Sequence, residues 1–83
     1  MAKEMKFTYD RTADILYINF TDPYPEQETE ELGDDVIVRL NAETGEVENL
    51  EVLFFSTRLL RGDILRLPIS GDLHLNVADS AKK

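Results

Sequence analysis

Cysteine and tryptophan are absent from this 83-residue chain, and histidine occurs once. The missing cysteine excludes disulfides and thiolate metal sites together. Ser56, Thr57 and Ser70 have only His74 as a possible imidazole base, and no spacing places any of them beside it. No glycine-rich loop is present to cradle a phosphate. Long apolar runs are missing too. ILYI and VLFF are the longest, far below the ~20 residues of a membrane span, and MAKEMKFTYD carries no signal-like apolar stretch. Positive charge is scarce, with 9 Lys and Arg against 17 Asp and Glu, a net charge of −8. Such a surface repels phosphate backbones, so direct nucleic-acid binding is not expected. These absences describe a soluble, cytoplasmic protein that does not engage a membrane. They leave no catalytic, metal-binding or cofactor-binding residue to assign.

What the chain does contain is alternation. Met5, Phe7 and Tyr9 alternate with Lys6 and Thr8, and Leu16, Ile18 and Phe20 alternate with Ile15, Tyr17 and Asn19, the period of a β-strand. Between them Asp10–Asp14 is turn-forming, with Asp10 suited to bonding the backbone two residues on. TDPYPEQ, with two of the chain's three prolines, ends that hairpin. A third strand runs through roughly Glu28–Leu40, with Gly33-Asp34-Asp35 as a bulge or bend inside it. Asn41–Gly45 is a hairpin loop in which Gly45 supplies a positive φ. Strand four, Glu46 to about Phe54, slips in apolar phase between Val47 and Leu50, and Asn49 is the candidate bulge.

Ser56 or Thr57 then caps a short helix whose apolar side is Leu59 and Leu60 and which Gly62 closes. Residues 62–69 read two ways. One continues the helix to Pro68, with Gly62 inside at about 1 kcal/mol relative to alanine. The other, preferred, starts a hairpin over 62–79 with Ile69 facing Leu73, Leu67 facing Leu75 and Leu65 facing Val77.

These elements predict a single domain over 1–83, with a core over 5–60, a C-terminal hairpin extension over 62–79 and a tail over 80–83. The fold class is α+β: a mainly antiparallel sheet of four to six strands built from hairpins, with one short helix after strand four. Both sheet faces are partly apolar. Leu16, Ile18, Phe20, Val36, Val38 and Leu40 lie on one, and Ile15, Tyr17 and Ile37, with Leu53 or Phe55, on the other. A sheet with one face in water alternates more cleanly, so the second face calls for a cover.

YDRTADILYI and GDDVIVRLNAETGEVENLEVL resemble the small bacterial family catalogued as domain of unknown function 2283. Tyr9, Asp10, Ala13, Asp14, Leu16, Tyr17, Ile18, Val36, Val38, Gly45, Val47, Glu51 and Leu53 fall on its pattern. The resemblance spans roughly residues 5–60, with Asn49 where the family commonly has glycine. It implies a structural motif rather than catalytic residues, and some members resemble the antitoxin-like half of two-gene modules.

The carboxylates also offer candidate chemistry. Glu26, Glu28 and Glu30 alternate along an extended segment, about 6.5–7 Å apart, a separation that suits an inverting hydrolase pair. No sugar-binding cleft accompanies them, and a solvated edge explains them better. Glu31, Asp34 and Asp35 lack the spacing of a calcium loop. His74 reads as an edge-strand surface residue.

The expected function is a non-catalytic protein-binding module, antitoxin-like, whose partner is a small basic protein or a second copy of the chain. Its partner surface is Glu28, Glu30, Asp34, Asp35, Ile15, Tyr17 and Ile37. The alternatives are a minor enzyme or hard-cation domain on the Glu26–Asp35 acidic segment, and a structural homo-oligomer.

Overall fold

Period-2 patterning sets most of the strands. The computed structural model describes residues 4–62 and 64–75. It contains β1 (Lys6–Asp10), β2 (Ile15–Asn19), β3 (Glu28–Gly33), β4 (Val36–Leu40), β5 (Val47–Leu53) and a helix α1 (Phe55–Arg61). All pairings are antiparallel, in one sheet of order β1-β2-β5-β4-β3. The α+β class and the hairpin-built sheet agree with the sequence, but the helix follows the fifth strand rather than the fourth. The cause is Gly33-Asp34-Asp35, which is a full reversal and not a bend. Gly33 pairs with Val36 across a two-residue turn, with Asp34 at φ 54° and Asp35 at φ 61°. Two positive φ values in succession define the turn that matches the twist of paired strands. Aspartate tolerates that region better than most residues.

The other turns form as their residues dictate. Asp10 Oδ1 accepts the Thr12 and Ala13 N–H groups at 3.0 and 3.1 Å. Asn41 Oδ1 accepts those of Glu43 and Thr44 at 2.8 and 3.0 Å, and Gly45 sits at φ 79°. The phase slip in β5 is real, but the bulge falls one residue early. Arg39 pairs with Asn49 and Leu40 with Val47, so Glu48 is the extra residue and not Asn49.

Residues directly opposite one another share a face. One face therefore carries the cross-sheet rows Phe7–Ile18–Leu50–Val38–Glu30 and Tyr9–Leu16–Val52–Val36. Its centre is the core: Val36, Val38, Leu50 and Val52 are buried. Phe55 of α1 and Leu65, Leu67 and Ile69 beyond it pack onto that core. The alternation read in 65–69 thus buries every second residue, but against the sheet. Residues 64–75 form no strand, and Leu73 and Leu75 are 75% and 83% exposed. The C-terminal hairpin is therefore not formed among the described residues, and neither is the continued helix; Val77 and the tail lie outside them. A two-stranded ribbon apart from a sheet is marginal, and Pro68 removes one of its donors.

Helix α1 also presents a different side from the expected one. Phe55 and Arg58, three apart on one helical face, turn inward, while Leu59 and Leu60 are 65% and 88% exposed. Neither Ser56 nor Thr57 caps it. The cap position is Phe54 at φ 54°, with no side-chain cap bond. Gly62 does close it, in the left-handed region, its N–H donating to the Arg58 carbonyl at 3.1 Å.

Candidate protein-binding surface

The opposite sheet face carries the rows Tyr17–Glu51–Ile37–Glu31 and Ile15–Leu53. Its end at Asn19 and Asn49 is closed by the loop over 20–27, where the Asn49 Nδ2 donates to the Thr21 carbonyl at 2.8 Å. The rest is open among the described residues. Ile15, Tyr17, Ile37 and Leu53 are half-buried and lie outside the core cluster, because the helix and the segment over 64–69 both lie on the other side. Arg39 spans this face to Glu51, with its NH2 group 2.7 Å from Oε2. Beside the β3–β4 turn is a hollow of about 190 Å³. Ile37 and Leu53 supply its apolar lining and Glu31, Asp34 and Asp35 its acidic lining.

The fold brings some of the anticipated residues together and separates others. Asp34, Asp35 and Ile37 meet at this hollow, and Ile15 is paired with Leu53 at its side. Tyr17 lies in the same row as Ile37. Glu28 and Glu30 do not join them: paired with Leu40 and Val38, they project to the core side of edge strand β3, exposed. Asp34 is also partly engaged within the chain. Its carbonyl and carboxylate hold the buried Arg58, whose NH1 donates to Asp34 Oδ2 at 3.3 Å and whose NH2 donates to the Asp34 carbonyl. This pair pins the helix to the β3–β4 turn. His74 is exposed.

Two polar clusters were not anticipated. In the first, Asp14 Oδ1 accepts from the Tyr9 hydroxyl at 2.5 Å and the Ser56 N–H at 2.9 Å, and Oδ2 accepts from the Ser56 hydroxyl at 2.8 Å. The Tyr9 bond, then those from Ser56, hold the Asp14 carboxyl below its ordinary range, while the same bond raises the Tyr9 phenol. Asp14 thus supplies the cap that α1 lacks locally, satisfying a first-turn N–H from another part of the fold. The motif residues Tyr9 and Asp14 are joined by this contact.

The second cluster is centred on the buried Glu48 and Asn49. Glu48 Oε1 accepts from the Tyr24 hydroxyl at 2.7 Å and Gln27 Nε2 at 2.9 Å, and Oε2 accepts from Asn41 Nδ2 at 3.3 Å. Gln27 Nε2 also donates to Asn49 Oδ1 at 2.7 Å, and Asn49 Nδ2 donates to Asn19 Oδ1 at 2.9 Å. The bond to Glu48 is the main cause of a raised Tyr24 phenol. Donors converge on a carboxylate, which compensates its burial and ties the 20–27 loop to β5. The signal for it was Glu48-Asn49, two adjacent polar residues where strict alternation allows one. Among the described residues no three His, Cys, Asp or Glu side chains group as a metal site requires, and no helix is long and apolar enough to cross a membrane.

The family model described as "Protein of unknown function (DUF2283)" matches residues 6–56. That span runs from β1 to Ser56, the residue that Asp14 holds at the start of α1. No curated protein and no solved structure matches the chain.

Proposed function

The chain belongs to the DUF2283 family of proteins of unknown function, and from that premise we propose that it is a non-catalytic protein-binding module for a basic partner. The observation that carries this is the hollow beside the β3–β4 turn, with Ile37 and Leu53 as apolar lining and Glu31, Asp34 and Asp35 as acidic lining. Lysine and arginine bury an aliphatic stem and keep a charged head at the rim, and the hollow offers both apolar and acidic lining. The net charge of −8 adds long-range attraction. Edge strand β3 extends the acidic margin, with Glu31 on the open side and Glu28 and Glu30 on the other. The half-buried Ile15 and Tyr17 lengthen the apolar contact beyond the hollow. An antitoxin-like role, in which the acidic chain covers a small basic protein, uses the same surface.

The experiment is co-purification from the native host followed by association rates at low and high salt. Exposed charges are screened over about 8–10 Å near physiological ionic strength, so binding should slow as salt rises. Ile37→Lys should abolish capture. Neutralising Glu28, Glu30 and Asp35 together should slow binding while leaving the melting temperature nearly unchanged, because all three are exposed. A captured protein that binds Ile37→Lys at the normal rate would refute this surface.

A further inference from the structure

Among the described residues the sheet ends at β1 on one side and at β3 on the other, and the two edges differ in composition. Edge β3 reads Glu-Thr-Glu-Glu over residues 28–31, all exposed. Like charges set opposite one another on paired strands are destabilising, and carboxylates of this kind blunt an edge. Edge β1 reads Lys6-Phe7-Thr8-Tyr9-Asp10. Turned antiparallel against itself about Thr8, this strand sets Lys6 opposite the partner's Asp10 and Phe7 opposite the partner's Tyr9, with Thr8 opposite the partner's Thr8. Each opposition is favourable: a cation against a carboxylate, one aromatic ring against another, one hydroxyl against another.

We propose that β1 pairs with β1 of a second copy of this chain, centred on Thr8, to join two five-stranded sheets into one continuous sheet.

Exposure supports this register. Phe7 and Tyr9 lie on the core face, opposite Ile18 and Leu16, yet they are 61% and 40% exposed because the sheet stops beside them. A neighbouring strand completes that margin. Lys6, Thr8 and Asp10 share the other face, so the charge pairing and the aromatic pairing do not compete. Asp10 spends Oδ1 on its own turn, on the Thr12 and Ala13 N–H groups, which leaves Oδ2 for the partner's Lys6. The contact uses the same strand on both copies and closes on itself. The outer edges of the joined sheet are then both β3, whose glutamates stop further growth. The product is a dimer and not a fibre. This inference concerns the edge, not the hollow, and holds whatever docks on the open face.

The chain's lack of cysteine permits a register-specific test on the purified protein alone. Antiparallel residues directly opposite lie about 4.5–5.5 Å apart between Cα atoms, within the span a disulfide bridges. Thr8→Cys should therefore form a disulfide-linked dimer under mild oxidation, whereas Lys6→Cys, set far from its own copy in this register, should not. Sedimentation at near-physiological salt should show wild type as a dimer that dissociates on dilution. Phe7→Lys should weaken it at least tenfold, with an unchanged circular dichroism spectrum because Phe7 is mostly exposed. A strictly monomeric wild type would overturn the proposal. So would a dimer that survives Phe7→Lys, or one that cross-links through Lys6→Cys as readily as through Thr8→Cys.

Discussion

Replacing Asn49 with alanine tests whether the buried polar cluster stabilises the fold. The side chain is 1% exposed, and its amide makes three hydrogen bonds: to Asn19 Oδ1, to the Thr21 carbonyl and from Gln27 Nε2. A hydrogen bond contributes about 1 kcal/mol net, so the direct loss is about 3 kcal/mol. Two corrections act in opposite directions. Partners left buried and unpaired raise the cost, whereas water entering beneath the 20–27 loop lowers it. We expect about 2–3 kcal/mol in total. For a domain of this size that lowers the melting temperature by roughly 10–20 °C, a large share of a stability near the low end of about 5–15 kcal/mol. Urea unfolding should show it as a lower midpoint at an unchanged m-value. Combining it with Gln27→Ala should give a coupling of about 1 kcal/mol, because the two amides share a bond. A loss under about 0.5 kcal/mol, the range of ordinary surface changes, with additive double mutants, would refute the reasoning.

Gly45→Val should cost more than about 1 kcal/mol. No heavy atom lies within 4 Å of the added Cβ, so the cost comes from φ 79° and the denaturant midpoint measures it; a neutral result would mean that the loop relaxes freely. Phe54→Gly is the converse. It relieves a bulky residue at φ 54° that is 57% exposed, and it should stabilise by up to about 1 kcal/mol; a loss of stability would show that the ring packs after all. The third prediction concerns acid. Asp14 titrates below its ordinary 3.8 in the folded protein, so the unfolded chain takes up that proton first as pH falls. Its contribution is present above 3.8 and is lost as pH drops through the lower folded value. Asp14→Asn should flatten the stability–pH curve in that acid range, and curves of equal slope would contradict the Asp14 assignment.

Local chemistry was enough for much of this fold. Alternation placed β1, β2, β4 and β5, and also assigned Ile15, Tyr17 and Ile37 to the face opposite Leu16, Val36 and Val38. Asp10, Asn41, Gly45 and Gly62 act on backbone groups within five residues of themselves, so their roles are written in their immediate neighbours. The rest depends on partners far along the chain. Asp14 reaches Ser56, 42 positions away, and Arg58 reaches Asp34, 24 away. Which side α1 presents inward was therefore decided by the Arg58–Asp34 contact and the Phe55 packing, against the more obvious Leu59 and Leu60. Splitting the third strand at Asp34-Asp35 needed two aspartates in a conformation that glycine or asparagine usually signals. Asn49 looked like a local bulge and became a buried junction only when the 20–27 loop folded across it. The sequence by itself determined the strands, most of the turns and the two-sidedness of the sheet, because those follow from side-chain period and short-range hydrogen bonding. Only the tertiary structure decided which face the helix and the 64–69 segment cover, because either face was apolar enough and long-range contacts made the choice.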